Sequence, residues 1–277
     1  MIIAQALRDA TARLSATSDT ARLDAEVLMA FCMGVSRSEL LLRHLDQPSP
    51  AGFEDKLVRR LRHEPVAYIT GEQEFYGRRF QTSPDVLIPR ADSETVVQTA
   101  LDHTGKTGRV LDCGTGSGAL LISFLAERPF WTGVGVDASA KALAIAEANA
   151  GHLLPGGERA LMLQRDWTCQ GWTQDLGQFD LILANPPYVE SAARLPVSVH
   201  KYEPAQALFA GELGMDDYQV LIPQIPLLLS PQGVAVVEIG ALQADAVMEI
   251  TRKAGMTGAI HHDLAGRNRA IRMTQSP

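Results

Sequence analysis

The chain has 277 residues, 46% of them hydrophobic and 21% charged, an ordinary globular composition with enough apolar material for a sizeable core in one or two domains. Its net charge of -7 excludes a general attraction to nucleic acid, where Lys and Arg on phosphates lead binding. Three scattered cysteines, Cys32, Cys113 and Cys169, make neither a CxxC pair nor a disulfide framework. The start "MIIAQALRDATARL" lacks the basic onset and long apolar core of a signal peptide, and no run of about 18 apolar residues offers a membrane span. A cytoplasmic protein without membrane association or a metal site is expected.

Residues 1–72 read as short amphipathic helices. "IIAQALRDATARL" places apolar residues at helical spacing, and "DTARLDAEVLMAFCMGV" repeats this with Asp19 or Thr20 as N-cap and Gly34 near the end. "SRSELLLRHL" carries Ser36 and Glu39 at capping-box spacing, and "SPAGFEDKLVRRLRHE" follows. Arg59, Arg60 and Arg62 fall close together, with Arg78 and Arg79 beyond them; a solvated helix face and a hairpin rim are expected there. Residues 73–90, "QEFYGRRFQTSPDVLIPR", set aromatics around Gly77 and close at Pro89, which predicts a hairpin linking two domains.

Residues 91–277 open with helix "ADSETVVQTALDH" and then alternate strand and helix. "RVLDC" precedes a glycine turn and "GALLISFLAER"; "TGVGVD" precedes "SAKALAIAEANAG"; "ALMLQRD", "FDLILAN" and "GVAVVEIG" follow, before "ALQADAVMEITRKAG", "MTGAIHHDL" and "RAIRMTQ". This alternation predicts an α/β domain, a parallel sheet with helices on both faces. Ligands of such sheets bind outside the carboxyl ends of the strands.

Those strand ends carry the chemistry. The first gives "LDCGTGSGAL", with Gly114, Gly116 and Gly118 at alternate positions and Thr115 and Ser117 between them. Glycines there permit a tight turn and close approach of a ligand, and the next helix points its free amides back at it. The spacing is G-x-G-x-G rather than the dinucleotide G-x-G-x-x-G, and no phosphate loop G-x-x-x-x-G-K-[ST] exists. The second strand ends at Asp137, placed to accept hydrogen bonds from ribose hydroxyls or to cap the next helix, a task Ser139 can share. The third ends in "RDWT": Asp166 suits an adenine amino group, and Trp167 suits either the adenine ring or a packing role. The fourth ends at Asn185, in "LILANPPYVE", where two prolines stop the strand.

Glycine turn, ribose acid and adenine pocket without a phosphate cradle resemble the class I S-adenosylmethionine-dependent methyltransferases over residues 109–274. That resemblance implies a Rossmann-like seven-stranded sheet whose last strand inserts antiparallel, S-adenosyl-L-methionine as cofactor and S-adenosyl-L-homocysteine as product. "NPPY" resembles the motif of those members that methylate planar NH2 groups, on adenine, cytosine, guanine or glutamine. Such a nitrogen is a poor nucleophile because its lone pair is delocalised. Two acceptors, Asn185 Oδ1 and the Pro186 carbonyl, can hold it and favour the more nucleophilic pyramidal form as the new bond develops. The prolines keep the acceptors in place, and Tyr188 offers a face to a flat group.

The whole chain resembles one family, the protein-(glutamine-N5) methyltransferases that act on peptide chain release factors. Besides NPPY, "ARLDAEVLMA" (21–30), "EPVAYITGEQEFYGRRFQTSPDVLIPRADSE" (64–94), "YEPAQALFAGELGMDDY" (202–218), "VEIG" (237–240) and "GRNRAI" (266–271) carry the likeness. It implies that the N-terminal helical domain engages the release factor and that the glutamine of a Gly-Gly-Gln loop enters the NPPY pocket. It further implies cofactor contacts at Gly114, Thr115, Gly116, Ser117, Gly118, Asp137, Asp166, Trp167 and Asn185. Substrate contacts are implied at Asn185, Pro186, Pro187, Tyr188, Phe75, Arg90 and Glu203, with Asn185, Pro186 and Tyr188 closest to catalysis. Phe75 has hairpin packing as its plainer alternative. Cys113, where Leu or Ile is common, and Ala91, where Pro is common, depart from the pattern without removing a chemical group. A glutamine methyltransferase of a ribosomal protein is the near rival. An N6-adenine or N2-guanine methyltransferase is the distant one; it calls for a basic recognition region, and stable nucleic-acid binding is not expected of this acidic chain.

Overall fold

Apolar periodicity in the first quarter of the chain resolves into five short helices: α1 (Ile3–Leu14), α2 (Ala21–Met33), α3 (Arg37–Arg43), α4 (Phe53–Leu61) and α5 (Val66–Thr70). The structure, a computed structural model, describes residues 1–155 and 158–276. These helices form one compact unit, Met1–Glu72, which also takes in Leu195–Tyr202 from far along the chain. Its core is Ile3, Leu7, Leu14, Leu28, Met29, Leu40, Phe53 and Leu57. Tyr202 is fastened there by its hydroxyl, which donates to the Arg62 carbonyl at 2.9 Å. Gly34 ends α2 in the left-handed region (φ 67°), returning its N–H to Ala30 and Phe31. Ser36 Oγ caps α3 by accepting from the Glu39 N–H at 3.1 Å. Thr20 occupies the N-cap position of α2 but makes no cap bond; its hydroxyl donates to Asp24 Oδ1 at 2.9 Å instead.

The arginine run differs from the solvated face expected of it. Arg60 is only 11% exposed at its side chain and pairs with buried Asp24 at 2.7 Å, and Arg59 Nε donates to Glu64 at 2.8 Å. Carboxylates 36 and 5 residues away in sequence claim these cations, a pairing that helical spacing alone does not encode.

The second unit covers Gln73–Arg194 and Glu203–Pro277. The hairpin is β1 (Glu72–Phe75) and β2 (Arg78–Gln81). There follow α6 (Glu94–His103), β3 (Thr107–Cys113), α7 (Ala119–Glu127), β4 (Phe130–Asp137), α8 (Ala140–Leu153), β5 (Ala160–Gln164), β6 (Phe179–Ala184) and α9 (Val197–Tyr202), the last belonging to the helical unit. Then come α10 (Asp216–Leu221), α11 (Ile225–Leu228), β7 (Leu229–Glu238), α12 (Ala244–Lys253), β8 (Met256–His262) and β9 (Asn268–Gln275).

Seven strands form one sheet in the order β5-β4-β3-β6-β7-β9-β8, parallel from β5 to β7, with β9 antiparallel to both its neighbours. This is the α/β class I methyltransferase sheet, last strand inserted as expected. Both faces are covered. Leu111, Cys113, Val136, Ile182 and Val237 face one core, shared with Tyr218, Leu221 and Val247; Val110, Leu181, Leu183 and Val236 face the other, with Val96, Phe124 and Ala146. Burial on both faces explains why the strands read as apolar runs rather than alternating ones. The register sets Cys113 beside both Val136 and Ala184, and Ala184 beside Val237. The strand ends are therefore level, and the strand order reverses between β3 and β6, where a crevice opens.

Candidate functional site

The chain leaves β3 through Gly114, Gly116 and Gly118 at φ of 73°, 55° and 81°, a region side chains rarely adopt. A Cβ on Gly114 would lie 2.9 Å from the Trp167 ring, and one on Gly118 2.6 Å from Ile122 Cδ1, whereas one on Gly116 would meet nothing within 4 Å. Two of the glycines thus admit close packing, and the third faces open space. The Gly114 and Thr115 N–H groups both donate to the Val136 carbonyl, at 2.8 and 2.9 Å. The Gly116 N–H donates to Asp137 Oδ2 at 2.9 Å, and the Ser139 N–H to Asp137 Oδ1 at 2.9 Å. Ser139 Oγ caps α8, accepting from the Ala142 N–H at 3.2 Å. Asp137 is therefore not needed as the cap. A carboxylate offers about four acceptor positions, and only two are used here. Burial raises the Asp137 carboxyl above its ordinary range.

Beneath the turn lies Asp112, 1% exposed, inside the apolar run of β3. Its Oδ2 accepts from the Thr115 hydroxyl at 2.7 Å, and its Oδ1 is buried with no partner of good hydrogen-bond geometry among the described residues. The Thr115 hydroxyl is thus turned inward, and that residue offers the site only its backbone. Burial pushes Asp112 up to about 7, against the pull of the Thr115 bond.

The other side of the turn is tied by a residue that pattern reading missed. Asn149 in α8 is fully buried. Its Nδ2 donates to the carbonyls of Ser117 (2.9 Å) and Gln81 (3.1 Å), and its Oδ1 accepts from the Gln81 N–H at 2.8 Å. One amide thus holds strand β2 and the glycine turn together. Phe75 of the hairpin is 1% exposed and packs edge-on to Phe80 at 6.1 Å, and it also lines the cavity. The segment after the hairpin is anchored by Glu203, whose side chain is 1% exposed. Glu203 pairs with Arg90 and accepts from the Ile88 N–H at 3.3 Å. These two predicted substrate residues are spent largely on each other.

At the end of β5, Asp166 Oδ1 accepts from both the N–H (2.8 Å) and the hydroxyl (2.7 Å) of Thr168, which holds its carboxyl below the usual range. Trp167 lies across Gly114, and its Nε1 donates to Asp217 Oδ1 at 3.1 Å. After β6, Asn185 is half-buried, and no residue described here hydrogen-bonds its side-chain amide. Pro186 is buried, while Pro187 and Tyr188 are half-buried. The Tyr188 hydroxyl donates to Glu238 Oε1 at 3.2 Å, and burial beside that carboxylate raises the phenol.

These elements enclose a cavity of about 310 Å³, within the range of small-molecule sites. Of the predicted residues, Gly114, Thr115, Gly116, Ser117, Asp137, Asp166, Trp167, Asn185, Pro187, Phe75 and Arg90 line it; Gly118, Pro186, Tyr188 and Glu203 are not part of its lining. Among the residues not foreseen are Asp85, Ser93, Arg165, Asp217 and Gln206 in the wall, and Asp112, Asn149 and Glu238 outside it. A charged residue inside an apolar run, as in "RVLDC" and "GVAVVEIG", was the available signal for two of them; Asn149 carried none. Among the described residues no helix is long and apolar enough to cross a membrane.

Comparison with known proteins bears on the whole chain. A family model described as the PrmC N-terminal domain matches residues 5–71, and one described as the methyltransferase small domain matches residues 91–204. A release factor glutamine methyltransferase of Cereibacter sphaeroides is 39% identical over 98% of this chain and 98% of its own. The protein of the same description from Caulobacter vibrioides is 37% identical over 94% of this chain and 91% of its own. Among solved structures, a methyltransferase from Pyrococcus furiosus shares the fold at a TM-score of 0.51 and 16% identity, covering 79% of this chain and 97% of that one. End-to-end similarity at this level, over the helical unit as well as the sheet, means that the chain belongs to the release factor glutamine methyltransferase family.

Proposed function

We propose that this enzyme transfers a methyl group from S-adenosyl-L-methionine to the side-chain amide nitrogen of the glutamine in the Gly-Gly-Gln motif of peptide chain release factors. The observation that carries the reading is Asn185. It is a half-buried amide with no partner among the described residues, set between a strand and two prolines, in the wall of the same cavity as Gly116 and Asp137.

The residues fit the cofactor. Asp137 keeps acceptor positions for ribose hydroxyls after serving Gly116 and Ser139. Gly116 presents bare backbone where a Cβ would project into open space. Asp166 and Trp167 stand at the adenine end of the proposed site. When bound, S-adenosylmethionine supplies an electrophilic methyl group. The chain's own part is to bind and align the amide. Asn185 Oδ1 and the Pro186 carbonyl accept its two N–H bonds, a pair of contacts that strengthens as the nitrogen becomes pyramidal. Pro186 and Pro187 limit reorganisation, and Tyr188 backs the flat amide.

The test is incubation of release factor with the enzyme and S-adenosylmethionine, followed by mass spectrometry of the Gly-Gly-Gln peptide. One methyl on the glutamine side chain is expected. Asn185→Ala keeps cofactor binding largely intact and lowers turnover on the order of a hundredfold or more. Transfer to a ribosomal protein or to nucleic acid, with none to release factor, would overturn the substrate assignment; full turnover in Asn185→Ala would overturn the two-acceptor account.

A further inference from the structure

Strand β7 is apolar from Val234 to Val237 and then ends on a buried acid, Glu238, 1% exposed. The register pairs Ala184 with Val237, so Asn185 and Glu238 are the next residues on adjacent parallel strands. Glu238 Oε1 accepts from the Tyr188 hydroxyl at 3.2 Å, while Oε2 is buried with no partner of good hydrogen-bond geometry among the described residues. The nearby cation is engaged elsewhere: Arg269 gives its Nη2 to Asp92 (3.0 Å) and Asp263 (3.4 Å). Glu238 is therefore not half of an ion pair. A purely structural role at this place is filled better by another valine, since a buried, half-satisfied carboxylate costs stability.

What the carboxylate does hold is the aromatic residue of NPPY. Tyr188 is fixed at two points, its hydroxyl on Glu238 and its carbonyl by Gln243 Nε2 at 3.0 Å, and both partners come from the end of β7 and the turn beyond it. Glu238 is itself braced, because the Tyr218 hydroxyl donates to its main-chain carbonyl at 3.0 Å.

We propose that Glu238 is a positioning residue for methyl transfer, holding the Tyr188 hydroxyl so that the ring stands in one orientation against the substrate amide. The inference rests on the proposed function in assigning Tyr188 to that amide. The groups facing Glu238 are Tyr188 after β6, Ser93 and Asp92 before α6, Tyr218 of α10 and Arg269 of β9. Burial raises Glu238 to about 7, with Ser93, Arg269 and Tyr188 favouring the charged form and Asp92 opposing it. The acceptor seen by Tyr188 thus changes from carboxylate to acid near neutral pH.

The first readout needs no cofactor or substrate. In protein labelled with ring-13C tyrosine, the Tyr188 signal, assigned by its loss in Tyr188→Phe, moves with pH around 7 in the wild type and stays flat in the isosteric Glu238→Gln. The second is kinetic. Glu238→Val, which removes the acceptor, lowers kcat by about tenfold to a hundredfold and leaves the KM for S-adenosylmethionine unchanged, while Glu238→Gln, which keeps an acceptor for the Tyr188 hydroxyl, flattens the pH profile of kcat. Because Glu238→Val and Tyr188→Phe act through one contact, Glu238→Val adds little in a Tyr188→Phe background. A Tyr188 signal that ignores pH in the wild type, or titrates equally in Glu238→Gln, overturns the proposal, as do additive effects on kcat. A wild-type enzyme inactive on release factor refutes the proposed function, while the resonance experiment still decides the Glu238–Tyr188 link. Tyr188→Phe alone, with Glu238 intact, gives the same reduction in kcat even where Glu238→Val fails to fold.

Discussion

Replacing Asn149 by Ala removes three hydrogen bonds at once. The two to Gln81 (2.8 and 3.1 Å) end on an exposed residue, so its backbone recovers water and the loss is small. The bond to the Ser117 carbonyl (2.9 Å) ends on a residue only 3% exposed, and that carbonyl stays unsatisfied. An orphaned buried acceptor costs about 1–3 kcal/mol, and the lost neutral bonds bring the total to the order of 2–4 kcal/mol. The loss concentrates where β2 meets the glycine turn. Amide hydrogen exchange reads it: the Gln81 N–H exchanges more than about tenfold faster in Asn149→Ala, and the cofactor binds more weakly because Ser117 is no longer held. Asn149→Asp sharpens the test. It keeps the acceptor for the Gln81 N–H but turns an anionic oxygen toward two carbonyls in a dry site, so it is more destabilising than Ala. Unchanged Gln81 exchange in the Ala variant, or an Asp variant as stable as wild type, refutes the reasoning.

Two further predictions concern buried carboxylates. Asp112 has a folded value of about 7 against an ordinary 3.8, so the folded chain binds this proton more tightly than the unfolded chain between those limits. Its contribution to stability is therefore greatest below about 4, falls as pH rises to about 7 and is flat beyond, with an amplitude on the order of a few kcal/mol. Carboxyls held low, such as Asp166 and Glu26, act with the opposite sign and only below their ordinary range. Urea midpoints at pH 5 and pH 8 accordingly differ less in Asp112→Asn, which keeps an acceptor for Thr115 and loses the titration. Arg90→Ala strands the Glu203 carboxylate, 1% exposed, and lowers stability by about 3 kcal/mol. Glu203→Gln costs less, since Arg90 is 43% exposed and rehydrates; denaturant titration of both variants checks the order.

The centre of the sheet was legible because the carboxyl halves of β3, β4, β6 and β7 are buried on both faces and each run closes on a polar residue or a turn. The stretches "RVLDC", "TGVGVD" and "FDLILAN" thus announced their own limits, and with them the places of Asp137 and Asn185. Spacing also marked the glycine turn, since positive φ at three alternate residues leaves little choice but Gly. What stayed hidden depends on partners distant in sequence. Asn149 lies 68 residues from Gln81 and 32 from Ser117, and Arg90 lies 113 from Glu203. Nothing in the helical pattern of "AEANAG" distinguishes a buried tether from a surface amide. The attachment of Leu195–Tyr202 to the helical unit was hidden for the same reason: periodicity names an element's face, not what it meets.

The charge of the cavity wall bears on the choice of ligand. Asp85, Asp137, Asp166 and Asp217 line it, against Arg90 and Arg165. Glu203 engages Arg90, and Lys141 pairs with Asp85 at 3.1 Å. Burial raises Asp137, Asp217 and Asp112, and the neighbouring Asp137 adds a smaller upward push on Asp112. Four carboxylates against two arginines, one of them engaged by Glu203, leave the wall acidic, a poor place for a pyrophosphate and a good one for a sulfonium. The consequence is measurable by calorimetry. S-adenosylmethionine and its neutral thioether product differ by one methyl and one positive charge, so the ratio of their affinities reports the local potential. Protonating Asp112, which burial raises to about 7, weakens that potential. The preference for S-adenosylmethionine relative to S-adenosylhomocysteine therefore declines from pH 7.5 to pH 6, by up to about tenfold for each unit by which the sulfonium displaces an acid's pKa. It declines less in Asp112→Asn, where one of the titrating acids is gone. A ratio that holds constant across this range, or moves the other way, would show that the acidic wall does not sense the sulfonium and that shape and hydrogen bonding alone select the ligand.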